Sequence, residues 1–340
     1  MADLVSGYNI VEKLGIGARS LIYHVINPNT GEIFALKRVI REENEDTRFL
    51  EQAITEFEVS SKFSHPTLRK SIECKRFRKW MKLAEVQVIM EYVNGVSLEK
   101  RRPERIDDAV NLFIKLAEGL DAMHQAGFVH ADIKPNNILI TAEGDPKIID
   151  FGQSCPVGFR KPRIQGTPDY IAPEQVKRQH LTAQTDVYNL GATLYWALTG
   201  QTFPTLISRK GKADEYNVAT GAATPSPQQI NPEVPTVLSR LVMESCAYRR
   251  SDRPKDMKDV IKRLEMAHHV LAKRRQAGHE LATAPAGARP APPTPAMPPV
   301  AATPPVQPTP EADDGDDDAY DFSALLEIER QAPRPGSDPS

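Results

Sequence analysis

Cysteine is scarce in this chain of 340 residues. Cys74, Cys155 and Cys246 lie far apart and form no CxxC pair, which argues against a disulfide framework or a structural zinc site and favours a reducing compartment. Long apolar runs are also missing. The longest, around Val187 to Leu198, is too short and too interrupted to span a bilayer, so no membrane insertion is expected. The opening MADLVSGYNIVEKLG has no basic segment followed by an apolar core, so no secretory leader is expected and the chain reads as cytoplasmic. Neither sign of charge dominates: 43 Lys and Arg against 45 Asp and Glu leave −2, which gives no global pull toward nucleic acid. What is present, 40% apolar and 26% charged residues, describes a globular protein with a core.

Residues 8–40 alternate as strands do: YNIVEKLG, SLIYHVINP and EIFALKRVI, with turn chemistry at Asn27 to Gly31 between the last two. Residues 46–63 change to helical spacing, with Phe49, Ala53, Ile54 and Phe57 along one side. Strand-like runs follow near 71–77 and 85–92. Five strands and one helix predict a small α+β lobe over about 8–92. From Ile106 helical patterns dominate, at 106–126 with a stop at Gly127, then near 186–199, 236–246 and 255–275. They predict a larger, mainly α-helical lobe over about 96–275. Residues 276–310, rich in Pro and Ala, read as extended linker, and residues 311–340 as an acidic tail with a short amphipathic stretch, Tyr320 to Gln331. Thr294, Thr303 and Thr309 adjoin prolines there.

Gly15-Ile16-Gly17 in a strand-turn-strand lets backbone amides approach phosphate oxygens, although Gly-x-Gly also occurs in ordinary hairpins. Lys37 in Phe34-Ala35-Leu36-Lys37 needs a partner if its strand is buried, and Glu56 on the next helix is available. The densest cluster is His130-Ala131-Asp132-Ile133-Lys134-Pro135-Asn136-Asn137, followed by Ile148-Ile149-Asp150-Phe151-Gly152. Phosphoryl transfer to a hydroxyl requires a carboxylate base, oxygen ligands for Mg²⁺ and a cation on the moving phosphate. Asp132, the pair Asn137 and Asp150, and Lys134 supply those in turn. An ordinary polar loop would have to match the spacing to Asp150 and the upstream lysine by accident.

With these residues the chain resembles eukaryotic-like serine/threonine protein kinases of the kind bacteria also encode, over roughly residues 8–272. The resemblance implies a two-lobed α+β fold and a protein kinase using ATP and Mg²⁺, with Mn²⁺ as an alternative. It implies that Lys37 holds the α- and β-phosphates and pairs with Glu56. Ile22 and Ala35 would border the adenine, Met90 would close its pocket, and Glu91 to Val93 would form the hinge at its edge. Gly166-Thr167-Pro168-Asp169-Tyr170-Ile171-Ala172-Pro173-Glu174 resembles the loop that positions a peptide substrate. Glu174 would pair with Arg253, and Asp186 would anchor the loop at His130. Phe151 and Gly152 complete the D-F-G motif. Lys134 together with Thr167 is the serine/threonine pattern, so the partners expected are proteins presenting Ser or Thr, the chain itself among them.

Three positions depart from the family pattern. Ser20 replaces the third loop glycine, Ala131 stands where many members carry an arginine that receives an activation-loop phosphate, and Ser60 falls where an apolar residue is usual. Arg69, Lys70, Lys75, Arg76, Arg78, Lys79 and Lys82 form a basic stretch, read as a solvated surface or a dock for an acidic partner. Tyr320 to Gln331 reads as a partner-binding helix or as plain tail. Two alternatives compete with an active protein kinase. A pseudokinase-like binding module would be favoured by loss of Lys37, Asp132 or Asp150, and all three are present. A small-molecule kinase would lack the segment from Gly166 to Glu174.

Overall fold

A computed structural model describes residues 4–17, 19–41, 47–207 and 224–283. The elements begin with β1 (Leu4–Val5), β2 (Tyr8–Gly17), β3 (Ser20–Ile26), β4 (Ile33–Ile40), α1 (Arg48–Ser60), β5 (Ser71–Lys79) and β6 (Lys82–Glu91). These strands form one antiparallel sheet in the order β1-β2-β3-β4-β6-β5. The five expected strands are therefore joined at one edge by the two-residue β1. In α1, Leu50, Ala53, Glu56 and Val59 recur at helical spacing and are buried. Leu50 and Ala53 pack with Ala35, Val39, Val86, Val88 and Met90 of the sheet, while Val59 packs with Phe63 and Leu68 in the core of the larger part. Burial of a leucine such as Leu50 contributes about 1.5–3 kcal/mol to holding α1 against the sheet.

The larger part contains β7 (Gly95–Ser97), α2 (Ile106–Gln125), β8 (Phe128–Val129), a 3₁₀ turn (Pro135–Asn137), β9 (Ile138–Thr141), β10 (Pro146–Ile148) and β11 (Cys155–Pro156). The helices α3 (Pro173–Val176), α4 (Ala183–Thr199), α5 (Pro227–Ile230), α6 (Thr236–Ser245) and α7 (Met257–Thr283) follow. Helix α2 stops because Gly127, at φ +85, turns the chain where a side chain would be strained. Helix α4 is buried around most of its circumference, so it runs through the core, and residues of α2, α6 and α7 pack with it. The last helix continues past residue 275 to Thr283, whereas composition had placed a linker from 276. Among the described residues no helix is long and apolar enough to cross a membrane. The segments 284–310 and 311–340, including Tyr320 to Gln331, lie outside the described residues.

Two short pairings set up the site. Antiparallel β9–β10 is a hairpin that carries Asn137 just before one strand and Asp150 just after the other. Pairing of β8 with β11, with Val129 opposite Cys155, holds the segment after Gly152 beside His130. The two lobes meet where Ile148 donates to the Thr67 carbonyl (2.7 Å) and Arg69 donates to that of Ile148 (3.0 Å).

Candidate active site

Lys37 lies between two carboxylates. Its Nζ donates to Glu56 Oε2 at 2.7 Å and lies 3.6 Å from Asp150 Oδ1. Burial opposes its charge, but the Asp150 and Glu56 carboxylates outweigh burial and raise its pKa above the ordinary lysine value. Asp150 is reciprocally lowered to about 2, chiefly by Lys37 against the opposing effect of desolvation. The other oxygen of Glu56 accepts from Arg69 at 2.5 Å. Arg69 is thus buried, at 7% exposure, and does not belong to the solvated basic stretch in which its sequence neighbours placed it. Ser60 is buried too, but it is not a loose polar intruder. Its hydroxyl lies 2.5 Å from both the Glu56 carbonyl and the Ser71 hydroxyl.

The loop from His130 to Asn137 is built around Asp186, which enters from α4. Its carboxylate accepts the backbone N–H groups of His130 (2.8 Å) and Ala131 (2.7 Å), and it lies 2.8 Å from His124 Nε2. Burial pushes Asp186 upward, yet His124, His130 and the Ala131 amide together hold it below the ordinary carboxylate range. Those bonds, with Gln175 Nε2 on the Ala131 carbonyl (2.8 Å), hold Ala131 at φ +60, a conformation a residue with a Cβ rarely adopts. His130 stacks edge-on against Phe151, and burial lowers its pKa, so it supports the loop as a neutral ring.

Asp132 is 8% exposed and fully engaged. Its Oδ1 accepts the Thr167 amide (3.1 Å) and hydroxyl (3.0 Å), while its Oδ2 lies 3.1 Å from both Lys134 Nζ and Asn137 Nδ2. Lys134 also donates to Thr167 Oγ1 at 2.6 Å. These four side chains hold one another. Farther along, Arg253 donates two bonds to Glu174, at 2.8 and 2.9 Å, and Thr185 donates a third. This buried, bidentate pair fixes the end of the 166–174 loop against α4 and the Arg253 turn.

The remaining candidates lie on the sheet that carries Lys37 and just beyond its β6 strand. Gly15, Ile16, Gly17 and Ile22 lie on β2 and β3, with Ser20 buried opposite Gly17. Ala18, at the tip of the loop, lies outside the described residues. Ala35 pairs with Met90 across β4 and β6, and both are buried. Glu91 ends β6 and is braced by Lys147 (2.7 Å) and the Lys70 amide (3.1 Å), which leaves Tyr92 and Val93 as the crossing to the larger part. The residues fit a nucleotide and a hard cation. A Cβ added at Gly15 would meet nothing within 4 Å, so its backbone faces open space. A Cβ at Gly152 would sit 3.2 Å from Asp150 Oδ1 and crowd that carboxylate. Asn137 uses its amide nitrogen on Asp132, which leaves the amide oxygen for a cation beside the ionised Asp150.

Four contributors carry no motif. Arg69 was concealed in a run of like charges, and Ser71 stands at a strand start. His124 is a single histidine in the last turn of α2. Lys161, 7% exposed, donates to the carbonyl and side-chain oxygen of Gln153. A buried cation always needs acceptors, but a single sequence does not tell which lysine or arginine is buried.

Comparison with known proteins agrees with this architecture. The family described as protein kinase domain matches residues 8–266. A probable serine/threonine-protein kinase PknB of Lactococcus lactis is 26% identical over 272 residues, covering 75% of this chain and 41% of that protein. The serine/threonine-protein kinase PknK of Mycobacterium tuberculosis is 29% identical over 265 residues, covering 76% of this chain and 23% of its own length. The chain thus spans less than half the length of these curated relatives. The crystal structure of the PknI kinase domain of Mycobacterium tuberculosis superposes with a TM-score of 0.60 at 21% identity, over 78% of this chain and 98% of that one, a likeness of fold. Ordered motifs, two-lobed fold and family match together make this chain a member of the protein kinase family.

Proposed function

We propose that the chain is an active protein kinase that transfers the γ-phosphoryl group of ATP to Ser and Thr hydroxyls of proteins, itself included. The observation that carries this is the position of Lys37 between Glu56 (2.7 Å) and Asp150 (3.6 Å), a charged triad that a binding module without chemistry has no need to keep. In the reaction the acceptor hydroxyl oxygen attacks the γ-phosphorus, the bond to the ADP oxygen breaks, and the hydroxyl proton passes to Asp132. Asp132 is aimed for this by Thr167 and Asn137. Lys134, 3.1 Å from Asp132, would meet the transferred phosphoryl oxygens. Lys37 would hold the α- and β-phosphates, with the Gly15 to Gly17 backbone above them. Ile22, Ala35 and Met90 would enclose the adenine, and the backbone from Glu91 to Val93 would meet its edge. Asn137 and Asp150 would hold Mg²⁺, with Mn²⁺ as an alternative. That ion neutralises charge on the phosphate oxygens when bound. Glu174 and Arg253 would fix the substrate loop, and Asp186 with His130, Phe151 and Gly152 would keep the catalytic loop and the D-F-G turn in register.

The test is incubation with labelled ATP and a panel of proteins, followed by phosphosite mapping. Lys37→Met and Asp150→Asn should each abolish most transfer with circular dichroism unchanged. Asp132→Asn should cost about 10²–10⁴ in rate, the scale of a positioned base. Near wild-type turnover in all three variants would exclude this function. Labelling of small amino alcohols in preference to proteins would favour a small-molecule kinase.

A further inference from the structure

The hairpin joining β5 and β6 breaks three local rules at its tip. Its two turn residues are Trp80 and Met81, at φ +52 and +66. A two-residue turn of this hand favours Asn-Gly, and bulky side chains there are strained. Both residues are exposed, at 91% and 92%, with Phe77 at 43% on the strand leading to them. Directly behind the turn Lys79 pairs with Lys82 across the two strands, so like charges face each other. Between Cys74 and Ala84 there are five cations and no carboxylate. Arg76 reaches Glu58 at 3.1 Å, and Lys75 reaches Glu73 and the Ser6 carbonyl. Arg78, Lys79 and Lys82 are exposed and make no ion pair among the described residues. Turn chemistry, cross-strand charge and apolar exposure all cost stability here. Local rules broken together at one spot, without an internal contact to compensate, mark a functional surface.

We propose that this tip is a docking wedge for an anionic bilayer surface. The charge collar is complementary to acidic lipid headgroups, and tryptophan is the side chain that settles best at their depth. Shape selects among the polyanions. The tip is a convex two-residue turn, whereas single-stranded nucleic acid needs a groove that tracks its backbone. A protein partner would need a matching pocket, but a headgroup layer is flat and deformable and accepts a protruding wedge. The wedge reaches only interfacial depth, so the absence of a spanning helix among the described residues is compatible with it.

The test is co-sedimentation of the full chain with vesicles of phosphatidylcholine alone and of phosphatidylcholine mixed with phosphatidylglycerol. The chain has two tryptophans, so a Trp196→Phe background leaves Trp80 as the fluorescence reporter. Salt-sensitive pelleting with the anionic vesicles and a blue shift of Trp80 are expected. Lys79→Glu with Lys82→Glu should reduce partitioning by about tenfold or more, the loss expected when two attractive charges become repulsive. Trp80→Asn with Met81→Gly should also abolish it while raising the melting temperature, because that pair suits the turn. This gain separates lost binding from misfolding, and turnover of a soluble peptide should not change in either variant. Wild-type protein that stays in the supernatant, variants that pellet equally, or capture by polyuridylate or polyglutamate without vesicle binding would each overturn the proposal.

Discussion

Arg69 and Lys37 divide the Glu56 carboxylate between them, one cation to each oxygen, at 2.5 and 2.7 Å. Glu56 is fully buried, so removal of either cation leaves one of its oxygens without a partner in the interior. The backbone of Arg69 is bonded to Ile148, two residues before Asp150, so it ties α1 to the turn at Asp150 by a route that does not pass through Lys37. Arg69→Met should therefore destabilise the domain by about 3–5 kcal/mol, the usual cost of removing one member of a buried pair. The rate of phosphoryl transfer should fall by up to about 10²-fold as Glu56 and Lys37 lose their fixed positions. Thermal melts and single-turnover kinetics check both. Retained stability and rate would mean that Lys37 alone suffices to hold Glu56.

The Lys37–Asp150 contact predicts an acid limit. Asp150 titrates at about 2, below its ordinary 3.8, so the native state binds this proton less readily than the unfolded chain. Stability from the contact is therefore complete above pH about 4 and is lost as pH falls through the folded value. Lys37 has a raised pKa, so its share is present below the ordinary lysine value and is lost as pH rises through the folded one. Asp150 is 43% exposed, and solvent screening keeps the effect modest. Lys37→Met should return the Asp150 pKa toward 3.8 and flatten stability between pH 4 and 2. Carboxyl NMR titration of Asp150 in the two proteins measures this directly. Equal pKa values in both would show that the lysine does not act on Asp150.

The fold and the cluster of candidate site residues were legible because both are written at short range. Strand alternation, helical spacing and the compact motif around Asp132 each occupy a few consecutive positions, and their order along the chain adds information. Arg69 and Ser71 were not legible for a physical reason. They precede and open β5, alternate inward together, and then meet a β-bulge between Ser71 and Glu73 that interrupts the pattern. Read linearly, Arg69 is one of seven neighbouring cations; in the structure it alone of that group is buried beneath α1. Strands β7 to β11 are two to four residues long and exist through their pairing partners, so no local pattern announces them. The end of α7 was misplaced because Ala, Arg and Gln, common after residue 271, favour helix even where an apolar stripe fades.

Activity should not depend on phosphorylation between Asp150 and Glu174. The segment has only Ser154 and Thr167 as Ser/Thr acceptors. Ser154 is 5% exposed, and the Thr167 hydroxyl is held by Asp132 and Lys134. Ala131 offers no cation to a phosphate, while Lys161 already ties residue 153 to the loop beyond it. Phosphatase-treated enzyme should start without a lag in a progress-curve assay. A long lag removed by prior phosphorylation of Ser154 would contradict this.

Ser60 and Ser71 replace what the family pattern would make an apolar contact with a hydrogen bond of 2.5 Å between two buried hydroxyls. Ser60 also lies 2.5 Å from the Glu56 carbonyl one turn earlier, so the pair sits beneath the helix that carries Glu56. Removal of one hydroxyl leaves the other buried with fewer partners, which costs about 1–3 kcal/mol. Removal of both takes away the stranded polar group together with its partner. Ser60→Ala and Ser71→Ala should each destabilise the domain, and the double variant should lie closer to the wild type than the sum of the two. A double-mutant cycle by chemical denaturation measures this coupling, expected at about 0.5–3 kcal/mol for residues in contact. Larger substitutions separate packing from polarity. Ser60→Leu alone should be poorly tolerated, because the site is filled by Ser71 and the underside of α1. Strict additivity of the two alanine variants would show that each hydroxyl is satisfied independently and that the bond between them contributes nothing to the position of Glu56.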